Sequence, residues 1–589
     1  MRRLIIFALI SLLAQSTARS AAKPAPRLTA EQRTAQVILR SLSLRDRIAQ
    51  LIIGVCFGDV PSSTSKEYEK YRHWVRDLHI GGFIVNNKVQ YGLVRTAEPH
   101  AMALFLNQMQ RLSRVPLLVG ADFERGASMR VGGTTRFPHS MAFAAARDVA
   151  ASRYEGLMTA REARALGVQW IFAPDSDVNN NPENPVIGIR SYGENPQEVA
   201  EHVAAFIDGA HSDPKNPVLV SAKHFPGHGD TNIDSHLDLA RLDASRDHMS
   251  EVELKPFEIA IAHKVDSIMT AHMTVPAVEP DDIPATVSRR VLTDLLREEL
   301  GFKGLVVTDA MTMAGLTKQF STGEASVRAI KAGADVLLMP PDPEVAIRAM
   351  LAAVNKGRLT RKRIDESALR VLEAKVRVGL TRKKLVDVNA VSDAVESKEE
   401  AEQAQSIADR AVTLVRNEGS VVPLAAANQA CVVVSTGIRL STFGQHMAEE
   451  FRKRAPQARI VFVDNSLPGA ALDAVIGDIS DCSTTVFATF TTDPMLAGDL
   501  PAFVEKLTEG PIPVVFVSFG NPYLLSSFPK VAAYLATFST ATPSEASAVK
   551  ALFGEIPITG HLPVTIPDFA QYGDGIQLPA KTQSGPSAN

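Results

Sequence analysis

The sequence predicts an α/β protein in two parts, a (β/α)8 TIM-like barrel followed by a smaller α/β sandwich domain. Short runs rich in Val, Ile and Leu recur from Leu51 to Met339, and each is followed by a stretch with helical periodicity. Eight such β-then-α units favour a closed barrel over an open sheet. Residues able to do chemistry cluster directly after these runs, at the end of the strands where barrel enzymes keep their sites.

In order, the eight expected strands are Leu51 to Val55, Gly82 to Asn86, Pro116 to Ala121, Trp170 to Ala173, Val218 to Ala222, Ser267 to Thr270, Gly304 to Thr308 and Ala334 to Met339. They define a catalytic barrel over residues 30–380. Basic Thr381 to Lys384 then leads into Ser392 to Asn417, where Ala, Glu and Gln favour helix without a long apolar face, so residues 381–420 read as a linker helix. Apolar runs at Ala430 to Ser435, Arg459 to Val463, Thr484 to Phe490, Ile512 to Ser518 and Ala532 to Phe538 alternate with helical segments and predict the sandwich over 421–570. Its histidines are few, His446 and His561, and it shows no carboxylate-histidine cluster, so a structural or substrate-shaping role is expected. Gly, Ser, Pro and Gln over 571–589 predict a frayed tail.

The chain has 589 residues, 45% hydrophobic and 22% charged, with a formal net charge of −3. That supports two or three domains with sizeable cores and shows no basic footprint for nucleic acid. Arg2 and Arg3 precede an apolar run from Leu4 to Ala14 and small residues from Ser16 to Ala22, the pattern of a signal peptide over 1–22. The run is too short to span a bilayer, and no later stretch approaches about 20 apolar residues. The expectation is an exported protein, periplasmic or secreted, with no stable membrane insertion after signal removal. Cys56, Cys431 and Cys482 form an odd, scattered set, which excludes a disulfide scaffold and leaves Cys431 with Cys482 as one possible pair.

The densest chemistry lies in KHFPGHGDTNIDSH, Lys223 to His236, with six ionisable groups in fourteen positions. Pro226, Gly227 and Gly229 forbid a regular helix there, so the cluster is a loop at the end of the fifth strand. Asp234 and His236 flank one residue, and an extended Ser235 would put both on one side, where the carboxylate orients the imidazole as a general acid/base. His224, His228, Asp230, Asp234 and His236 also offer zinc donors, but their spacing fits no helical metal motif, and no metal or other cofactor is expected. Other polar residues follow the strands: Asp122 and Glu124 the third, Asp175 and Asp177 the fourth, His272 the sixth. Asp309, at the end of the seventh, is an N-cap or a nucleophile, and its place on a barrel rim favours the nucleophile. Arg130 and Arg190 sit in loops rich in Gly, Asn and Pro, suited to reading a ligand with several hydroxyls and an amide, or to pinning a loop through a neighbouring Asp.

Together, KHFPGHGDTNIDSH, ADFERG (Ala121 to Gly126), NPVIGIRSYG (Asn184 to Gly193) and VVTDAMTM (Val306 to Met313) resemble the glycoside hydrolase family 3 β-N-acetylglucosaminidases. The resemblance runs from about Ser41 to Leu380, and the DSH triplet separates these enzymes from the family's β-glucosidases and β-xylosidases. It implies Asp309 as nucleophile, His236 as acid/base and Asp234 as its partner. It implies that Asp122, Arg130, Arg190, Lys223 and His224 bind the N-acetylglucosamine ring. Phe123 and Arg125 depart from the Gln and Gly that often occupy those places.

The expected activity is that of an exported, retaining exo-β-N-acetylglucosaminidase releasing terminal N-acetylglucosamine from peptidoglycan- or chitin-derived oligosaccharides through a covalent glycosyl-enzyme. A histidine acid is neutral once spent and repels an anionic acceptor less than a carboxylate would, so phosphorolysis stands open beside hydrolysis. The alternatives are a β-glucosidase-type family 3 glycosidase and a non-catalytic cell-wall sugar-binding protein.

Overall fold

The structure, a computed structural model, describes residues 28–581. Eight parallel strands form the first sheet: β1 Ile52–Phe57, β2 Gly82–Asn86, β3 Leu118–Ala121, β4 Trp170–Ile171, β5 Leu219–Phe225, β6 Ser267–Thr270, β7 Leu305–Thr308 and β8 Leu337–Leu338. Their order is β7-β6-β5-β4-β3-β2-β1-β8. A bridge between Val307 and Val336, with the Thr308 amide donating to the Val336 carbonyl at 3.0 Å, brings β7 to the β8 segment and closes the ring. The strands are almost wholly buried because side chains fill the ring inside and helices cover it outside. The covering helices start where the sequence supplies caps: Asp148 accepts from the Ala151 amide before Val149–Leu166, and Asn195 precedes Pro196 of Pro196–Ala210.

At the N-terminal end of the ring, Asp335 is fully buried and pairs with Arg297, Arg363 and Arg370. Its carboxylate also accepts the Val306 amide at 3.1 Å, which ties β7 to the turn before β8. The polar work at this end is structural, and the opposite mouth is left for ligand.

The second sheet contains β9 Thr413–Asn417, β10 Ala430–Ser435, β11 Arg459–Val463, β12 Thr484–Thr489, β13 Val514–Ser518 and β14 Ala533–Ala536, in the order β9-β14-β13-β12-β10-β11. All neighbours are parallel except β9, which runs antiparallel to β14. Hydrophobic clusters on its two faces make it a sandwich. Cys431 on β10 and Cys482 before the adjacent β12 are disulfide-bonded, with Cα atoms 5.8 Å apart, and Cys56 is free and buried.

Two expected boundaries change. The linker helix is Lys398–Ala411, opened by a capping box of Ser397 and Glu400, and it stops well before Asn417. Residues 413–417 instead form β9, because Thr, Leu and Val there find partners along the free edge of β14. The expected tail is fixed up to residue 581: the Ile576 amide donates to the Leu414 carbonyl, Leu578 pairs with Ile558, and the Lys581 amide donates to the Gly554 carbonyl. Composition carries no information about such distant backbone partners. The expected signal peptide, 1–22, and residues 582–589 lie outside the described residues.

The sandwich docks against the barrel mouth. The Asn179 side-chain amide donates to the Tyr523 hydroxyl at 2.9 Å, and Glu194 accepts from both the amide and the hydroxyl of Thr565 at 2.7 Å.

Candidate active site

β3, β5 and β7 deliver the central side chains of the mouth. β5 is buried along its whole length, so Lys223 within it requires a partner. It has two: Lys223 Nζ lies 2.9 Å from Asp122 Oδ1 and 2.6 Å from Glu124 Oε1, both just beyond β3. Arg130 closes on Asp122 Oδ2 at 2.8 Å and donates to Asn87 Oδ1 at 3.1 Å. Arg190 grips Glu124 with two bonds of 2.9 Å and lies 3.3 Å from Asp175. Burial opposes charge on Asp122 and Glu124, but Lys223 with Arg130, and Arg190 with Lys223, overcome it and hold both carboxyls below their ordinary values. These residues form a fixed ionised lattice before any ligand arrives.

His224 reaches the same mouth with its ring oriented from behind, Nδ1 lying 2.7 Å from Asp177 Oδ2. The Asp177 carboxylate also accepts the backbone amides of His224 and His228. Burial pushes the His224 imidazole down to about 4, so it is neutral near pH 7 and offers Nε2 to the cavity side, 3.3 Å from Arg190 Nη2. Burial, reinforced by Asp177, drives Asp175 well above the usual carboxylate range.

Asp309 follows β7 and is half-buried by surface, with Oδ1 accepting the Ala310 amide at 2.6 Å. Burial raises its pKa, while His224, His272, the Ala310 amide and Lys223 lower it more, and the carboxyl ends below its ordinary value. With His224 neutral, the amide and the Lys223 ammonium are the permanent part of that effect. His272 is fully buried, held between Thr286 Oγ1 at 2.8 Å and the Ala310 carbonyl at 3.1 Å.

The loop after β5 lays the Asp234–His236 pair over this floor. His236 Nδ1 is 2.7 Å from Asp234 Oδ1, which also accepts the His236 amide at 2.8 Å. An acceptor carboxylate there makes Nδ1 the protonated nitrogen of the neutral ring and leaves Nε2 for chemistry. The His236 side chain is 57% exposed, within reach of an entering ligand. Ser235 between them is turned inward onto His228 Nε2 at 2.9 Å, and Thr231 holds the other His228 nitrogen at 2.8 Å. Asn184 donates to the carbonyls of His228 and Gly229. Gly229 is required by close approach: a Cβ there would lie 1.7 Å from the Val178 carbonyl oxygen.

Asp122, Arg130, Arg190, Lys223, His224, His236 and Asp309 all line one cavity of about 440 Å³, with Asp234 behind His236. The five loop residues that offer zinc donors do not gather on one point: His228 is tied to Thr231 and Ser235, and Asp234 to His236. Sequence reasoning gave no role to Glu124, Asp175 or Asp177, although each lies two residues from another acidic group, the spacing that puts extended neighbours on one side. Asn87 carried no signal.

A closed barrel with a carboxylate held low at its C-terminal mouth, a carboxylate-oriented imidazole beside it and fixed charged donors has the parts that a sugar-processing barrel enzyme uses. Residues 43–374 match the family described as the glycosyl hydrolase family 3 N-terminal domain, and the chain belongs to glycoside hydrolase family 3. It is 29% identical over 548 residues to the β-N-acetylglucosaminidase/β-glucosidase of Cellulomonas fimi, covering 87% of this chain and 93% of that one. It is 29% identical over 522 residues to β-hexosaminidase A of Pseudoalteromonas piscicida, covering 78% and 84%. The solved family 3 β-N-acetylglucosaminidase of Paenibacillus sp. str. FPU-7 superposes with a TM-score of 0.81 at 30% identity, covering 89% of this chain and 99% of that one.

Proposed function

We propose that the protein is an exported, retaining exo-β-N-acetylglucosaminidase that releases terminal N-acetylglucosamine from peptidoglycan- or chitin-derived oligosaccharides. One observation carries the reading: the oriented His236 and the ionised Asp309 line the same cavity, above a floor of paired charges. The Paenibacillus relative is named a β-N-acetylglucosaminidase and the Cellulomonas relative a β-N-acetylglucosaminidase/β-glucosidase, which supports the N-acetyl sugar. Asp122, Arg130, Arg190, Lys223 and His224 hold the ring hydroxyls. His236 Nε2 protonates the leaving oxygen as Asp309 attacks the anomeric carbon, giving a covalent glycosyl-enzyme, and the neutral imidazole then takes a proton from the attacking water. Asp234 fixes the ring and stabilises its charged form. Export is supported by the Arg2 to Ala22 pattern and by the Cys431–Cys482 bond, which persists in an oxidising compartment.

The test compares cleavage of an aryl β-N-acetylglucosaminide and an aryl β-glucoside, with NMR of the first-formed sugar. Faster cleavage of the N-acetyl substrate with a β-configured first product is expected. Preference for the glucoside, or an α-configured first product, refutes the proposal.

A further inference from the structure

Glu253 lies against the loop that carries Asp234 and His236. Its side chain is 1% exposed, and among the described residues no donor meets either carboxylate oxygen at full hydrogen-bond geometry. A Cβ on Gly227 would stand 2.6 Å from Glu253 Cβ, so the glutamate packs directly on the loop backbone. Two further groups converge on it. His248, on the helix Arg246–Glu251, puts Nε2 at 3.4 Å from Glu253 Oε1, and an Asp230 oxygen completes a set of three donor atoms all within 4.8 Å of one another. The Asn180 side-chain amide also approaches Glu253 and offsets part of the cost of its burial, while among the described residues its Oδ1 is buried without a partner.

Leaving a buried carboxylate unbonded costs on the order of 1–3 kcal/mol or more, and a second carboxylate beside it adds repulsion. A half-exposed imidazole is poor compensation. A cation amid the three donors removes both penalties. Tetrahedral zinc with ligands at about 2.0–2.1 Å has donor-donor edges of about 3.4 Å, the separation already present between His248 and Glu253. One imidazole with two carboxylates is a borderline donor set that suits zinc better than calcium.

We propose that Asp230, His248 and Glu253 form a structural divalent-cation site of the zinc type. It fastens the acid/base loop to the segment behind it, because Asp230 lies only four residues before Asp234 while the other two ligands come after the loop. None of the three lines the sugar cavity, so the ion acts on loop order and takes no part in the chemistry.

The experiment uses the full chain, stripped with chelator and titrated with zinc chloride by calorimetry, with manganese and calcium alongside. One zinc per chain is expected, bound more tightly than calcium. Affinity should fall at least about tenfold in His248→Ala, whose half-exposed side chain makes misfolding a small concern, and further in Glu253→Gln. His236→Gly should bind as wild type, which excludes the Asp234–His236 pair as the site. Hydrogen exchange over 226–238 should slow with zinc in the wild type and not in His248→Ala. Absence of zinc binding, binding indifferent to His248→Ala and Glu253→Gln, binding lost in His236→Gly, or calcium binding as tightly as zinc overturns the proposal.

Discussion

At the scale of single residues, the surroundings of Asp309 and His236 suit the two roles proposed for them. Asp309 is kept ionised by the Ala310 amide and Lys223, while His236 stands half in solvent with one nitrogen committed to Asp234. Asp309→Asn is nearly isosteric and should lower kcat by roughly 10^4-fold or more with an unchanged melting temperature, measured on an aryl N-acetylglucosaminide. Because the folded-state pKa of Asp309 lies below 3.8, its ionised form is lost only as pH falls through that lower value. The kcat/KM profile should therefore show no acid limb from this group above about pH 4. His236→Gly should cost a natural disaccharide about 10^2–10^4-fold and an aryl glycoside with a stable leaving anion far less, with azide restoring part of the loss. Equal losses on both substrates and no azide response would assign His236 to binding.

At the scale of elements, the loop after β5 is positioned by the segment after β7. The Ala314 and Gly315 amides approach the His236 and Ser235 carbonyls at 3.4 and 3.3 Å, and a Cβ on Gly315 would meet the His272, Asp238 and Ser235 carbonyl oxygens at 3.0–3.2 Å. Gly315→Ala should push the loop outward by a few tenths of an ångström and slow disaccharide hydrolysis by about tenfold, with little change in melting temperature. Nothing around Gly315 in the sequence marks this contact. The DSH loop itself was legible because its polar density exceeds what turns need; the Asp230, His248 and Glu253 set was not, because its donors come from a loop, a helix and the turn after that helix, with no motif spacing. A second buried cation tests the helix Arg361–Arg377: Lys375 is 1% exposed, bonds Gln50 Oε1 at 2.6 Å, and is driven by burial down to about 7. Between that value and the unfolded value near 10.4, the unfolded chain binds one more proton, so stability rises with pH. Wild-type unfolding free energy relative to Lys375→Met should increase by about 1.4 kcal/mol per pH unit from about pH 7.5 to 9.5, read from urea melts.

At the scale of the molecule, the sandwich braces the loops at the barrel mouth. Asn179 lies on the segment after β4, accepts the Gly188 amide at 3.1 Å beside Arg190, and is held from the other side by Tyr523. Tyr523→Phe leaves the Asn179 amide buried and unpaired. It should destabilise the protein by about 1–3 kcal/mol and raise KM for an aryl N-acetylglucosaminide with kcat little changed. An unchanged KM would limit the second domain to stability. This contact joins Asn179 to Tyr523 across 344 positions of chain.

The sequence by itself determined the two-part architecture, all eight barrel strands, the positions of Asp122, Lys223, His224 and Asp309 at strand ends, and that of Asp234 and His236 on the loop after the fifth strand. These are local properties: strand periodicity, glycine and proline in loops, and carboxylates placed directly after buried runs. Tertiary structure alone decided that Thr413–Asn417 pairs with Ala533–Ala536, that residues 571–581 are held in place, and that Glu124 and Arg190 lock together. The physical reason is common to all three: the stabilising partner lies far along the chain, and a backbone edge, a free carbonyl or a counter-charge acquires its partner only when the fold brings the two together.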